Sequence, residues 1–240
     1  MLTVQRDVYS SFLALVSRQA VQAVERSKDP NPAAAEGVRI LKAWNGQVTT
    51  EQAAPFVATL LYQHLRQAMA EKAAPNLAAE YKPFVAPAAV ERLLRERPAG
   101  WFEDYDRMLA NELADAVEEA RRIQGRNSQK WQYGRMNEVK LVHPVMSLIP
   151  WAGSYFNVGT IPMHGTGTSI KATTPRLGPS MRFVADLSNW DSSLMNLTIG
   201  ESGHILSWHY KDQWQAYLNG TSYPLEFGKV QDKGTLTLRP

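Results

Sequence analysis

Three groups of residues in this chain have types and spacings that could do chemistry. The run His164-Gly-Thr-Gly-Thr-Ser-Ile-Lys171 is glycine-rich and is flanked by an imidazole and an ammonium. A phosphate cradle needs such glycines to feed a helix N-terminus, with Lys-Ser/Thr after them. That context is missing, so the run reads as a loop. His143, His204 and His209 could bind a metal by residue type, but their spacings match no zinc motif and no His-Glu-x-x-His is present. No metal ligand and no cofactor site is assigned. Arg182, Asp186 and Asp191 lie around one strand and its turn. An ion pair or a turn cap accounts for them, and acid–base work would need a cleft that spacing alone does not show.

Composition narrows the classes further. The 240 residues are 44% hydrophobic and 20% charged, with a net charge of +3. Such a chain can bury a core without staples. Both signs of charge are spread along it, and no block of Lys and Arg marks a nucleic-acid groove. The absence of cysteine excludes disulfides and thiolate chemistry. No apolar run reaches the ~18 residues of a membrane span, and residues 1–7 lack the layout of a signal peptide.

The elements that must position these residues change character along the chain. Apolar residues recur at helical spacing over residues 7–26, at Val8, Phe12, Leu15, Val16, Ala20 and Val24. A second helix is predicted over 33–44, ended by Asn45-Gly46. Thr49-Thr-Glu-Gln52 has capping-box spacing and should open a third, with Pro55 early in it. Residues 75–87 form a Pro/Ala-rich connection, and helices are predicted over 88–96 and 104–124. Strands are predicted over 136–142, 181–187 and 194–199, the last two as an antiparallel pair. A short helix over 212–218 and late strands over 223–227 and 235–238 follow. The predicted class is α+β: a helical region at 1–128, then a β-rich region at 129–240 with mainly antiparallel strands.

Several motifs, in order, resemble one family. Gly178-Pro-Ser-Met-Arg182 opens a strand ending in Asp186-Leu187, followed by Trp190-Asp-Ser-Ser193, Gly200-Glu-Ser-Gly203 and Ser207-Trp-His209-Tyr210-Lys-Asp212-Gln213. Upstream stand Leu41-Lys-Ala-Trp44-Asn-Gly46, Arg97-Pro98-Ala-Gly-Trp101, and Lys130-Trp131-Gln-Tyr133-Gly134-Arg135 with His143-Pro144 after it. Together these resemble the C-terminal part of the β-subunit in the penicillin acylase (penicillin amidase) family of N-terminal-nucleophile hydrolases. Asn137 departs from that pattern, standing where His is usual.

The resemblance implies a partial αββα sandwich, with residues 129–240 helping to complete it. It also implies hydrolysis of a substituted amide, such as a β-lactam acyl side chain or an acyl-homoserine lactone. In that family a Ser freed by self-cleavage uses its own α-amine as base. An α-amine with pKa near ~8 can take the hydroxyl proton near neutrality, while an Asn and backbone N–H groups hold the oxyanion. The matched segments begin after those parts, so no catalytic residue is assigned and the chain alone is expected to be inactive. The expected partners are the upstream half of the β-subunit and the α-subunit of one precursor, periplasmic or secreted. A non-catalytic scaffold subunit or a truncated relict is the alternative. Gly153-Ser154, the sole Gly-Ser pair, is read as a mid-subunit loop, not a cleavage junction. His164, Gly165, Thr166, Gly167 and Thr168 are read as a structural loop or as the rim of an acyl-binding cleft. The tryptophans are read mainly as core.

Overall fold

The computed structural model describes residues 1–143, 145–175, 178–228 and 236–239. The chain is α+β, with its strands entering only after residue 137. It divides into two compact units, one of Asp7–Val139 with Ile161–Arg176, the other of Met1–Arg6, Lys140–Thr160 and Leu177–Pro240. The chain leaves the first unit within β1 (Glu138–Leu141) and returns to it within β2 (Gly159–Pro162), and these two strands pair.

The first unit is helical because its sequence caps and stripes its helices. In α2 (Ser11–Arg26), the Ser10 hydroxyl accepts the Leu13 N–H at 3.1 Å. In α3 (Pro32–Leu41), the Asn31 side chain accepts from Ala33 N–H, and proline occupies the first position, where a missing N–H costs nothing. In α7 (Tyr105–Gln124), Asp104 accepts from Arg107 N–H at 2.9 Å, and Gly125 stops the helix with φ 86°. Helix α4 (Ala54–Ala73) starts later than the capping-box spacing predicts and has no side-chain cap. The carbonyls of Thr50 and Gln52 instead accept Gly134 N–H and Tyr133 N–H, which holds 50–52 out of the helix. Short α5 (Ala78–Tyr81) lies in the Pro/Ala-rich connection, and α6 (Pro87–Glu96) follows.

Helix α7 is the centre of this unit, with α2, α3 and α4 all packed on it. Leu109, Leu113, Ala116, Val117 and Ala120 are fully buried. Phe56, Val57, Leu61 and Leu65 face them from α4 within the same core. On α3 the close approach falls at Gly37, where a Cβ would sit 2.7 Å from the Leu113 side chain. At the end of the core, Asp106 takes a bidentate pair from Arg26 at 2.7 and 2.8 Å and a third bond from Arg97 at 2.8 Å. The Arg26 hydrogen bonds, and then Arg97, hold its carboxyl below the usual range against the opposing effect of burial. At the seam between α4 and α7 the balance is reversed. Burial, and then the charges of Asp115 and Glu71, push the Glu112 carboxyl up to about 7.

The second unit holds α1 (Leu2–Gln5), α8 (Pro150–Phe156), α9 (Trp214–Asn219) and a sheet ordered β3–β4–β5. Strand β3 (Met181–Val184) runs antiparallel to β4 (Leu194–Leu197), Arg182 opposite Asn196 and Phe183 opposite Met195, and β5 (Tyr223–Pro224) extends the sheet. The period-two pattern is present, but its burial is inverted. Arg182 and Asn196 are buried, while Met181 and Phe183 are exposed. Arg182 is in no ion pair with Asp186 or Asp191. Its guanidinium donates to the carbonyls of Ala216, Tyr217 and Thr221 at 2.9–3.1 Å, neutralising the carbonyl end of α9. Burial lowers its pKa. Asp186 instead accepts from Ser188 and Asn189 as a turn cap, whereas Asp191 accepts from the distant Phe227 and Gly228 backbone N–H groups, and these bonds cap no turn of its own.

Two further expectations change here. Gly153 and Ser154 lie inside α8, where the Ser154 hydroxyl donates to Trp151 O, and not in a loop. Of the strand expected over 235–238, Thr235 lies outside the described residues and Leu236–Leu238 form no strand. Among the tryptophans, Trp131 is core and Trp44 and Trp101 pack against it, whereas Trp151, Trp190 and Trp208 are exposed.

The α3–α7 contact yields a direct test. Gly37→Ala forces a methyl against Leu113 and should destabilise the chain by about 1–3 kcal/mol, although alanine is the better helix former. Denaturant unfolding should show a lower midpoint. The double variant with Leu113→Val should recover part of that loss, because the two side chains share one space.

Candidate functional site

The site grows from the glycine-rich loop at 164–168. Two residues of the segment after α7 hold it. Trp131 is buried and donates its indole N–H to Gly125 O at 2.7 Å, which ties this segment to the end of α7. The Tyr133 hydroxyl then donates to Gly165 O at 2.8 Å. Asn137, almost fully buried, directs its side-chain amide to Met163 O at 2.8 Å, Gly165 O at 3.2 Å and Thr173 Oγ1 at 2.9 Å. Burial pushes the Tyr133 phenol up to about 12, so it stays a donor at every physiological pH. The residue that departs from the family pattern is thus the one that stitches both ends of the loop.

Gly165 is required by geometry. Its φ is +98°, and a Cβ there would lie 2.2 Å from Lys171 O. Its N–H donates to Val48 O at 2.8 Å, which brings the loop to the segment after Trp44-Asn-Gly46. His164 is half-buried, and its Nδ1 accepts the Thr50 N–H at 3.0 Å. That bond requires a lone pair on Nδ1, so the neutral ring carries its proton on Nε2. Burial lowers the His164 pKa, only partly opposed by Glu51. Thr168 shares a hydrogen bond with Ser10 at 2.7 Å, and the Ser169 hydroxyl closes the turn between Thr166 and Lys171. Gly167 is exposed at the tip.

Thr166 and Thr168 form one wall of a cavity of about 430 Å³. Leu13, Tyr62, Pro87 and Met136 supply apolar surface opposite. Its size and lining suit a small apolar or acyl group rather than a charged one. No helix begins within 164–175, so the backbone N–H groups are not gathered as a phosphate cradle requires.

The sequence placed the loop at 164–168 but missed Thr50, Tyr133, Asn137 and Thr173, which hold it. The available signal was the shared polarity of Tyr133 and Asn137 four residues apart, in a segment too short for a helix. Of the other histidines, His64 lies on α4, and His143, His204 and His209 lie in the second unit. His143 Nδ1 accepts from Val145 and Met146 N–H groups, and His209 pairs with Asp212 at 2.7 Å. His143, His204 and His209 belong to no cluster of three metal-capable side chains among the described residues.

The sequence matches the family model for penicillin amidase over residues 1–233. Among known proteins, it is 25% identical to the acyl-homoserine lactone acylase QuiP of Pseudomonas aeruginosa, covering 95% of this chain and 31% of that protein. It is 28% identical to the penicillin acylase 2 proenzyme of Pseudomonas sp. (strain SE83), covering 72% of this chain and 24% of that one. A solved penicillin G acylase from Alcaligenes faecalis superposes with a TM-score of 0.54 at 14% identity, covering 98% of this chain and 48% of its own. At that identity the likeness is one of fold. The chain spans less than a third of the curated relatives it matches.

Two predictions follow from the clamp. Asn137→Ala removes three hydrogen bonds and leaves buried carbonyls unpaired, which should cost about 2–4 kcal/mol. Amide exchange in residues 163–173 should speed up more than exchange in α7. For His164, the folded pKa lies below the unfolded value of about 6.5. Its contribution is therefore fully present above that value and is lost as pH falls through the folded pKa. His164→Gln should flatten the loss of stability below pH ~6.5, read as Tm against pH.

Proposed function

Since the chain belongs to the penicillin amidase family, we propose that its residues are the C-terminal part of the β-subunit of an amide hydrolase. The whole enzyme would cleave a substituted linear amide, of the kind named in penicillin acylases and acyl-homoserine lactone acylases. Its serine nucleophile and oxyanion asparagine would come from polypeptide outside these 240 residues, so the chain alone would not hydrolyse. In this reading residues 1–128 are the helical region beside the cleft and 129–240 help complete the sandwich. His164, Gly165, Thr166, Gly167 and Thr168 form a cleft rim, which borders the apolar cavity able to take an acyl group. The complete precursor would be periplasmic or secreted. No helix among the described residues is long and apolar enough to cross a membrane.

The observation that carries this reading is the match along nearly the whole chain to so small a share of each relative. The inverted strand supports it. Strand β3 offers Met181 and Phe183, 52% and 43% exposed, and Tyr223 of β5 opposite Met195 is 46% exposed. A sheet buries its apolar face against another layer, and a second sheet is the layer such a sandwich would supply. The same exposed face favours the second reading, a scaffold subunit pairing with a separate chain that carries the serine.

Intact mass and N-terminal sequence of the polypeptide recovered from its source separate these readings. A longer chain beginning with Ser, active on a penicillin side-chain amide or an acyl-homoserine lactone, is the expected result. A mass near 26.9 kDa with no co-purifying chain, and no hydrolysis, would overturn the β-subunit assignment. The same mass with a bound serine-bearing partner would establish the scaffold.

A further inference from the structure

The seam between α4 and α7 gathers a second set of functional side chains, remote in sequence from the loop at 164–168. Glu112 and Asp115 lie three residues apart on α7, and Glu119 lies four further on, so the three share one helical stripe. His64 stands on α4, which packs against α7. One ligand atom each from His64, Glu112 and Asp115 lies within 4.8 Å of the others. The imidazole has distinct tasks for its two nitrogens. Nδ1 faces Glu112 Oε2 at 3.8 Å, while Nε2 lies 2.6 Å from Glu119 Oε2.

We infer that His64, Glu112 and Asp115 bind a divalent zinc-class ion that ties α4 to α7, with Glu119 as the positioning residue for His64. Three features of the geometry point this way. First, a carboxylate on the far nitrogen of a histidine fixes the tautomer with Nε2 protonated and leaves the Nδ1 lone pair directed at the ligand set. This is the arrangement that metal-binding histidines use. An acidic patch alone would not need it. Second, the described residues give these carboxylates no cationic partner from Lys or Arg within ion-pair distance, although both His64 and Glu112 are about four-fifths buried at the side chain. Like charges in such a seam repel, and a dication between them reverses the sign.

Third, the donor set selects the ion. Calcium and magnesium take six or more oxygens, whereas one imidazole with two carboxylates suits zinc and its first-row neighbours, with water in the fourth position. Bonds of about 2.1 Å place tetrahedral ligands about 3.4 Å apart. His64 Nδ1 and Glu112 Oε2, at 3.8 Å, are already near that spacing, and the exposed Asp115 side chain, within 4.8 Å of both, is free to complete it. The ion would be structural, because it sits on a helix seam rather than at the cavity beside the loop.

The test is calorimetric titration of the metal-stripped 240-residue chain with zinc chloride at pH 8, with Tm read in parallel. We expect one saturable site and a Tm raised by several degrees in excess zinc. Glu112→Gln and His64→Gln should each weaken binding about tenfold or more, and Glu119→Gln by a similar factor, while His209→Gln leaves it unchanged. Glu112→Gln keeps the side-chain shape, and far-UV circular dichroism of each apo variant verifies its fold. Cobalt substitution adds a direct signature, an intense visible band of a four-coordinate site. No saturation below about 1 mM zinc, or undiminished affinity in both Glu112→Gln and His64→Gln, overturns the assignment.

Discussion

Everything in the helical unit depends on α7 being buried on most of its circumference. Three helices close over Leu109, Leu113, Val117 and the small residues Ala116 and Ala120, and Gly37 lets α3 come in until its backbone nearly touches Leu113. A helix so fixed has a fixed end. Gly125 turns the chain, Trp131 anchors on Gly125 O, and two residues later Tyr133 reaches Gly165. The position of the glycine-rich loop is thus inherited from the packing of a helix forty residues upstream. Rigid elements hold a loop that has little regular structure of its own.

The parts of this chain that were legible in its sequence are those decided locally. Asp104, Ser10 and Asn31 are of residue types that cap helices, and each does so here, although apolar spacing alone started the first helix at residue 7 and placed Ser10 inside it. Gly125 stops α7 for the same reason. The capping-box spacing at Thr49–Gln52 failed because competition for its backbone is tertiary. Gly134, Tyr133 and His164 take the carbonyls and N–H of that segment, and no local pattern foretells partners about eighty and more than a hundred residues away.

Strand β3 shows a different limit. Alternation tells which residues share a face but not which face is covered. The sequence has Met181 and Phe183 alternating with Arg182, and the ordinary assumption buries the apolar pair. Here α9 presents its carbonyl end to the sheet, and a guanidinium is the side chain that can satisfy three carbonyls at once. That demand places Arg182 inside and sends its neighbours outward. The candidate loop follows the same logic. His164 to Thr168 was visible as a glycine-rich run, yet its fixed shape comes from Tyr133 and Asn137, whose roles appear only when the chain is folded.

The two units also differ in how fully each meets its own needs. The helical unit holds a continuous apolar core from Phe12 to Tyr133. The other unit buries Ala152, Tyr210, Ala216 and Tyr217 but leaves Trp151, Leu187, Leu206, Trp208 and Phe227 at 73% exposure or more. At roughly 25 cal/mol per Å² of apolar area, a few such side chains carry several kcal/mol of unrealised burial, as large as the net stability of many domains. A chain built this way has its lowest free energy with that surface covered. Its helical unit supplies the rigidity of the loop, while its sheet keeps apolar side chains exposed. On β3 the two halves have different surroundings: Arg182 satisfies the helix already present, while Met181 and Phe183 stand exposed.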